Sequence, residues 1–141
     1  MMSPELHKKL VARVYTPVSC LIEVHKVLGP FLNEYMYQDA LSIEFTNCNL
    51  PFQREFYFSV DYKGTNIKHK HYVDFVFGEG EERVIIECKA VETLTSEHRQ
   101  QLWNYMRLTG IETGVLYNFA PPKAQIERYY LSPDTPMIQA F

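Results

Sequence analysis

The chain has 141 residues, 46% of them hydrophobic and 14% aromatic, with a formal net charge of −3. This composition excludes a disordered chain and predicts one domain, 1–141, with its own core. The acidic balance excludes a protein that coats nucleic acid by charge alone, and no run of about 18 apolar residues is present to span a bilayer.

The opening MMSPELHKKL lacks the basic-then-apolar order of a secretory signal, so a cytoplasmic protein is expected. Cys20, Cys48 and Cys88 are widely spaced and form no C-x-x-C, which argues for free thiols in a reducing compartment. Ser3, Pro4 and Glu5 mark a helix start. Thr16-Pro17 is predicted to interrupt or restart that helix. Val18, Leu21, Ile22, Val24 and Leu28 continue at helical spacing up to Gly29-Pro30. A second helix is predicted over about 31–45. Leu32, Tyr35, Met36, Ala40 and Ile43 make one of its faces, and Glu34, Tyr37, Gln38 and Leu41 another.

Residues 52–62 alternate as a half-buried strand, and KGTN turns into a second strand that runs to Phe77. GEGEE turns again, and the chain returns from Val84 to Val91. TSEHRQQLWNYMRLTG is a helix, capped by Thr95 or Ser96 and stopped by Gly110. TGVLYNF and IERYYL are two late strands. The order α-α-β-β-β-α-β-β predicts an α/β or α+β domain, with a mixed central sheet flanked by helices. Helices occupy 4–45, the core sheet and its helix 52–131, and a tail 132–141.

Charged residues inside the apolar hairpin carry the chemistry. If Phe77 lies opposite Val84, then Val76 opposes Ile85, Asp74 opposes Glu87 and Tyr72 opposes Lys89. Asp74, Glu87 and Lys89 then share one face. Val73, Phe75, Phe77, Val84, Ile86 and Cys88 form the apolar other, and a slip by one residue would bury the charges. Two adjacent carboxylates repel, and a hard divalent cation removes the conflict. A lysine beside them could orient or deprotonate an attacking water, as phosphodiester hydrolysis requires. An ion pair between Glu87 and Lys89, with Asp74 solvated, fits the spacing equally well.

Asp74, twelve residues, then Glu87-Cys88-Lys89 read as D-x12-E-x-K. This resembles the active-site pattern of the PD-(D/E)XK nuclease superfamily. EVHKVLGPFLNEYMYQDAL resembles the opening signature of its GxxExxY family, and EHRQQLWNYMRLTG and GVLYNF are similar to that family's later Q-x-x-x-Y helix and G-x-L-x-N-F strand. The resemblance runs over roughly residues 17–120.

The resemblance implies a restriction-endonuclease-like core and metal-dependent hydrolysis of nucleic acid, DNA ahead of RNA. Asp74 and Glu87 would ligate Mg²⁺ or Mn²⁺, helped by the Cys88 backbone carbonyl. Lys89 would position the attacking water, and Glu34 would reach the metal directly or through a water. Gln101 and Tyr105, four apart on one helix face, would line the site, with His98 one turn earlier as an addition. Three positions depart from the pattern, one being Cys88, which replaces a typical aliphatic residue and is expected in the core. Phe31 stands where G-x-x-E-x-x-Y opens with glycine, so a reshaped helix start is expected, and Val73 stands where proline precedes the aspartate.

His69 and His71 are expected to face away from Asp74. Lys63, Lys68 and Lys70 read as a solvated strand edge, His25 as packed at a helix end, and Trp103 as core. The small chain leaves specificity to partners, a homodimer or a larger complex. The competing readings are a nuclease-fold module that binds nucleic acid or protein without cleaving it, and, more weakly, a cysteine-dependent small-molecule enzyme.

Overall fold

The computed structural model describes residues 2–135 and 137–141, without the His69 side chain. Among the described residues three α-helices and six strands follow in the order α1 (Pro4–Leu28), α2 (Glu34–Asn47), β1 (Phe52–Tyr62), β2 (Thr65–Phe77), β3 (Val84–Lys89), α3 (Ser96–Thr109), β4 (Thr113–Asn118), β5 (Gln125–Leu131) and β6 (Ile138–Ala140), with one 3-10 turn at Gly80–Glu82. The strands form one mixed sheet in sequence order. β3 and β4 are parallel and every other neighbouring pair is antiparallel. α3 makes the crossover that a parallel pair needs. Among the described residues no helix is long and apolar enough to cross a membrane.

α1 starts as predicted: the Ser3 side chain accepts from the Leu6 N–H at 3.1 Å and Pro4 follows the cap. It does not break at Pro17. An interior proline costs about 3 kcal/mol or more. Leu10, Val14, Pro17, Leu21 and Val24 nevertheless form one buried stripe through that point. Burying each large member is worth about 1.5–3 kcal/mol, so tertiary packing outweighs the lost backbone bond.

α2 begins at Glu34, where the Asn33 side chain accepts from the Met36 N–H at 3.0 Å, and it buries Tyr37, Gln38, Leu41 and Phe45. Tyr35, Met36 and Ile43 stay exposed. Of the two faces read from sequence, the one holding Glu34 therefore turns inward.

The sheet separates two cores. Towards α1 and α2 lie Tyr37, Phe45, Phe75, Phe77, Val84, Ile86, Cys88 and Tyr117. Towards α3 lie Val73, Val76, Ile85, Leu102, Met106 and Leu116. Val73 thus departs from the predicted face. It joins Phe56 and Phe58 on the α3 side, where β1 carries Glu55 at φ 53 and a register shift follows Phe58. Gly114 brings β4 against α3: a Cβ there would stand 2.8 Å from Met106 Sδ and 2.9 Å from Leu102 Cδ1.

The stretch read as a tail ends in β6, which pairs with β5, and the Phe141 N–H donates to the Arg128 carbonyl at 3.0 Å.

Candidate active site

The β2–β3 hairpin follows the predicted register over Phe77–Val84, Val76–Ile85 and Phe75–Ile86. Side chains then take over from backbone pairing. The Asp74 N–H donates to Glu87 Oε2 at 2.9 Å, and the Cys88 N–H donates to Asp74 Oδ2 at 2.9 Å. Tyr72 pairs with Tyr57 of β1, not with Lys89. The extended apolar runs drive the strands together, and the two acids sit where the strands part.

Glu87 is 3% exposed. Burial first, and then the Asp74 charge, push its carboxyl well above the usual carboxylate range. Burial also raises Asp74, against the lowering effects of the Cys88 N–H, Glu87, Lys89 and Arg54. Glu34 is raised by burial and then by the Asp74 charge, while Lys89 and Gln38 pull it back. Three acids therefore share one field around one lysine. Lys89 Nζ donates to Gln101 Oε1 at 3.1 Å, which ties the end of β3 to α3. Tyr105 lies in the same field, its phenol raised by burial and by the charges of Glu87 and Asp74.

All six predicted side chains, Glu34, Asp74, Glu87, Lys89, Gln101 and Tyr105, thus converge from α2, β2, β3 and α3. Cys88 points its thiol into the core, where burial raises it well above its ordinary value, so only its backbone is available to the site. His98 also has a structural job that the sequence did not show. Its Nδ1 accepts from the Thr95 N–H at 3.0 Å and closes the capping box of α3. His71 stacks on Phe58 at 5.1 Å. His25 is buried as expected, with Nε2 3.0 Å from the Pro121 carbonyl oxygen, and Trp103 packs edge-on against Tyr129. The predicted orientation of His69 lies outside the described residues.

Sequence reasoning missed three supporting residues. Gln38, buried on α2, donates to Glu34 Oε1 at 3.3 Å and accepts from Arg54 at 3.4 Å. Arg54 was visible as a cation among the aromatic residues of β1. Asn118 is fully buried; it accepts from the Val91 N–H at 3.0 Å and donates to the Val91 carbonyl at 2.8 Å, fixing the chain just past Lys89.

The donor set suits a hard cation: two carboxyls within reach of each other, both raised by burial, whose charged forms a divalent ion would favour. Each accepts one backbone N–H, and the two carboxyls also hydrogen-bond to one another. Among the described residues no group of three or more His, Cys, Asp and Glu side chains is close enough to hold a metal ion.

The Phe31 backbone adopts φ 67, a conformation natural to glycine, and its N–H donates to the Ala120 carbonyl at 3.2 Å. The phenylalanine has not moved the helix start; it bears the strain of a left-handed residue, roughly 1–2 kcal/mol. Glu34 consequently keeps its place in the first turn of α2.

No curated protein matches this chain. A solved structure described as "Crystal structure of SSO0001" is similar at TM-score 0.48 and 21% identity, over 86% of this chain and 56% of that one. The present chain thus spans little more than half of that protein. A family model described as the PD-(D/E)XK nuclease superfamily matches residues 12–129. That match runs from α1 into β5 and encloses every element that supplies the site, and the chain belongs to the PD-(D/E)XK nuclease superfamily.

Proposed function

We propose that this protein is a metal-dependent nuclease of the GxxExxY family, cleaving phosphodiester bonds of nucleic acid, with DNA ahead of RNA. One observation carries the reading: Asp74 and Glu87 are locked together by reciprocal backbone contacts beside Lys89, at the cost of mutual repulsion. Two acids buried side by side are costly to keep charged, and such perturbed pairs gather at functional sites. Asp74, Glu87 and the Cys88 carbonyl would hold Mg²⁺ or Mn²⁺. When bound, the ion polarises the phosphoryl oxygen and favours ionised water as the nucleophile. Lys89, steadied by Gln101, orients the attacking water and balances charge developing on the phosphate. Glu34 accepts a hydrogen bond from that water, held in place by Gln38.

The acidic net charge favours a second reading, a module of the same fold that binds without cleaving. Calorimetric titration of Mn²⁺ into the wild type and Asp74→Asn, followed by a nucleic-acid cleavage panel, separates the two. Binding that is lost in the variant, together with Mn²⁺-dependent cleavage, supports the nuclease. A wild type that cleaves nothing on the panel rejects it.

A further inference from the structure

Phe31 is a strained residue with an outward ring, 74% exposed at φ 67. Such strain persists only where the surroundings enforce it, and it gathers at functional sites. The enforcement is visible. The Tyr37 hydroxyl donates to the Gly29 carbonyl at 2.6 Å and accepts from the Leu32 N–H at 3.0 Å, so it spans the loop that carries Phe31. The Tyr37 ring is itself fixed by stacking on Phe119 at 4.3 Å and 8°. A buried tyrosine therefore presents an exposed phenylalanine on a rigid loop.

The location is equally specific. Phe31 precedes Glu34 by three residues and lines a groove of about 480 Å³ with Leu32, Ala90, Val91, Glu92 and Pro121. The Phe31 N–H donates to the Ala120 carbonyl at 3.2 Å and the adjacent Phe119 N–H to the Lys89 carbonyl at 2.8 Å, so the groove lies beside the end of β3 that carries Lys89. Its walls are mainly apolar. Glu92 would repel a phosphate but tolerates a neutral base.

We propose that Phe31 is a stacking platform for an unpaired base next to the scissile phosphate, which makes nucleic acid with single-stranded character the substrate class. The inference rests on the nuclease reading above. Bases inside a duplex are already stacked and cannot lie on a side chain, whereas a base in a single strand offers a free face to an exposed aromatic ring. A preorganised loop avoids the ordering cost that a mobile one would incur.

The test compares wild type, Phe31→Gly and Phe31→Trp. Fluorescence anisotropy with Ca²⁺ in place of Mn²⁺ measures binding of a short single-stranded DNA and of its blunt duplex. A 2-aminopurine scanned along the single strand reports stacking. Phe31→Gly suits the backbone conformation and should fold at least as well as the wild type. It is expected to bind the single strand roughly tenfold to a hundredfold more weakly, with the duplex unaffected and the 2-aminopurine quench lost. Phe31→Trp should restore both. Equal single-strand binding by wild type and Phe31→Gly, in preparations that both cleave with Mn²⁺, overturns this inference and leaves the nuclease standing. A wild type that neither binds nor cleaves any probe overturns both.

Discussion

Asp74 and Glu87 satisfy each other's strands: the Asp74 amide donates to the Glu87 carboxylate, and the Asp74 carboxylate accepts from the amide of Cys88, the next residue along, both at 2.9 Å. The acids are therefore part of the hairpin's hydrogen bonding as well as candidates for its chemistry. Removing either carboxylate outright leaves a buried donor unpaired, which costs about 1–3 kcal/mol. Converting it to the amide keeps an acceptor and removes only the charge.

Glu87→Gln should accordingly stabilise the metal-free protein, raising Tm by a few degrees, because it removes a buried carboxyl's desolvation cost and then its repulsion from Asp74, while keeping the bond from the Asp74 amide. The same variant should lose any stabilisation by Mn²⁺. Thermal unfolding with EDTA and with Mn²⁺ checks both halves. An unchanged Mn²⁺ response in the variant would remove Glu87 from the ligand set.

The pH dependence has a definite sign. Folding holds the Glu87 carboxyl above its ordinary value of 4.5, so the folded protein binds this proton more tightly than the unfolded chain. That contribution is fully present below the ordinary value and is lost as pH rises through the raised one. Glu127, held low chiefly by its hydrogen bond from Arg99, works in the opposite direction and is common to both proteins. The Tm advantage of Glu87→Gln over wild type in EDTA should therefore widen as pH climbs from about 5 to 8. A constant gap would contradict the raised value.

Lys89→Ala should abolish cleavage while Mn²⁺ still binds, since the lysine touches Gln101 and the water site but supplies no oxygen ligand. Gln101→Ala should reduce kcat less severely, because the amide only steadies the lysine. Single-turnover rates on a substrate accepted by the wild type separate the two. Full activity in Lys89→Ala would end the proposed mechanism.

Gly114→Ala should destabilise the protein by about 1–3 kcal/mol, through overlap of the new methyl with Met106 and Leu102 where α3 packs on β4. α3 carries Gln101 and Tyr105, so activity should fall with stability. Denaturant unfolding measures the first effect. A neutral result would mean that the two side chains have room to move.

The hairpin was legible because alternation is a short-range rule: once Phe77 faced Val84, the acids had to meet. Its limit was equally local, since the twist that carries Val73 to the other core comes from β1, a partner strand that the pattern of β2 does not encode. Pro17 misled for a related reason. Propensity is a property of a few residues, whereas the buried stripe from Leu10 to Val24 belongs to the whole packed helix. Asn118 stood in the G-x-L-x-N-F strand without a role, and Gln38 carried no signal of its own, because an amide matters only through the partners that folding supplies. The strand at 138–140 could not be read because three residues are too few to show a period.

Tyr37 holds a glycine-like turn in place while a phenylalanine occupies it. The fold thus separates the shape of the loop from the identity of the residue at its apex. Position 31 can exchange among residues that bear a left-handed backbone, such as glycine, asparagine or an unbranched aromatic, without disturbing Glu34, three residues downstream. If the stacking proposal holds, exchanging that residue would tune which strand is accepted while the acids and lysine below it stay as they are.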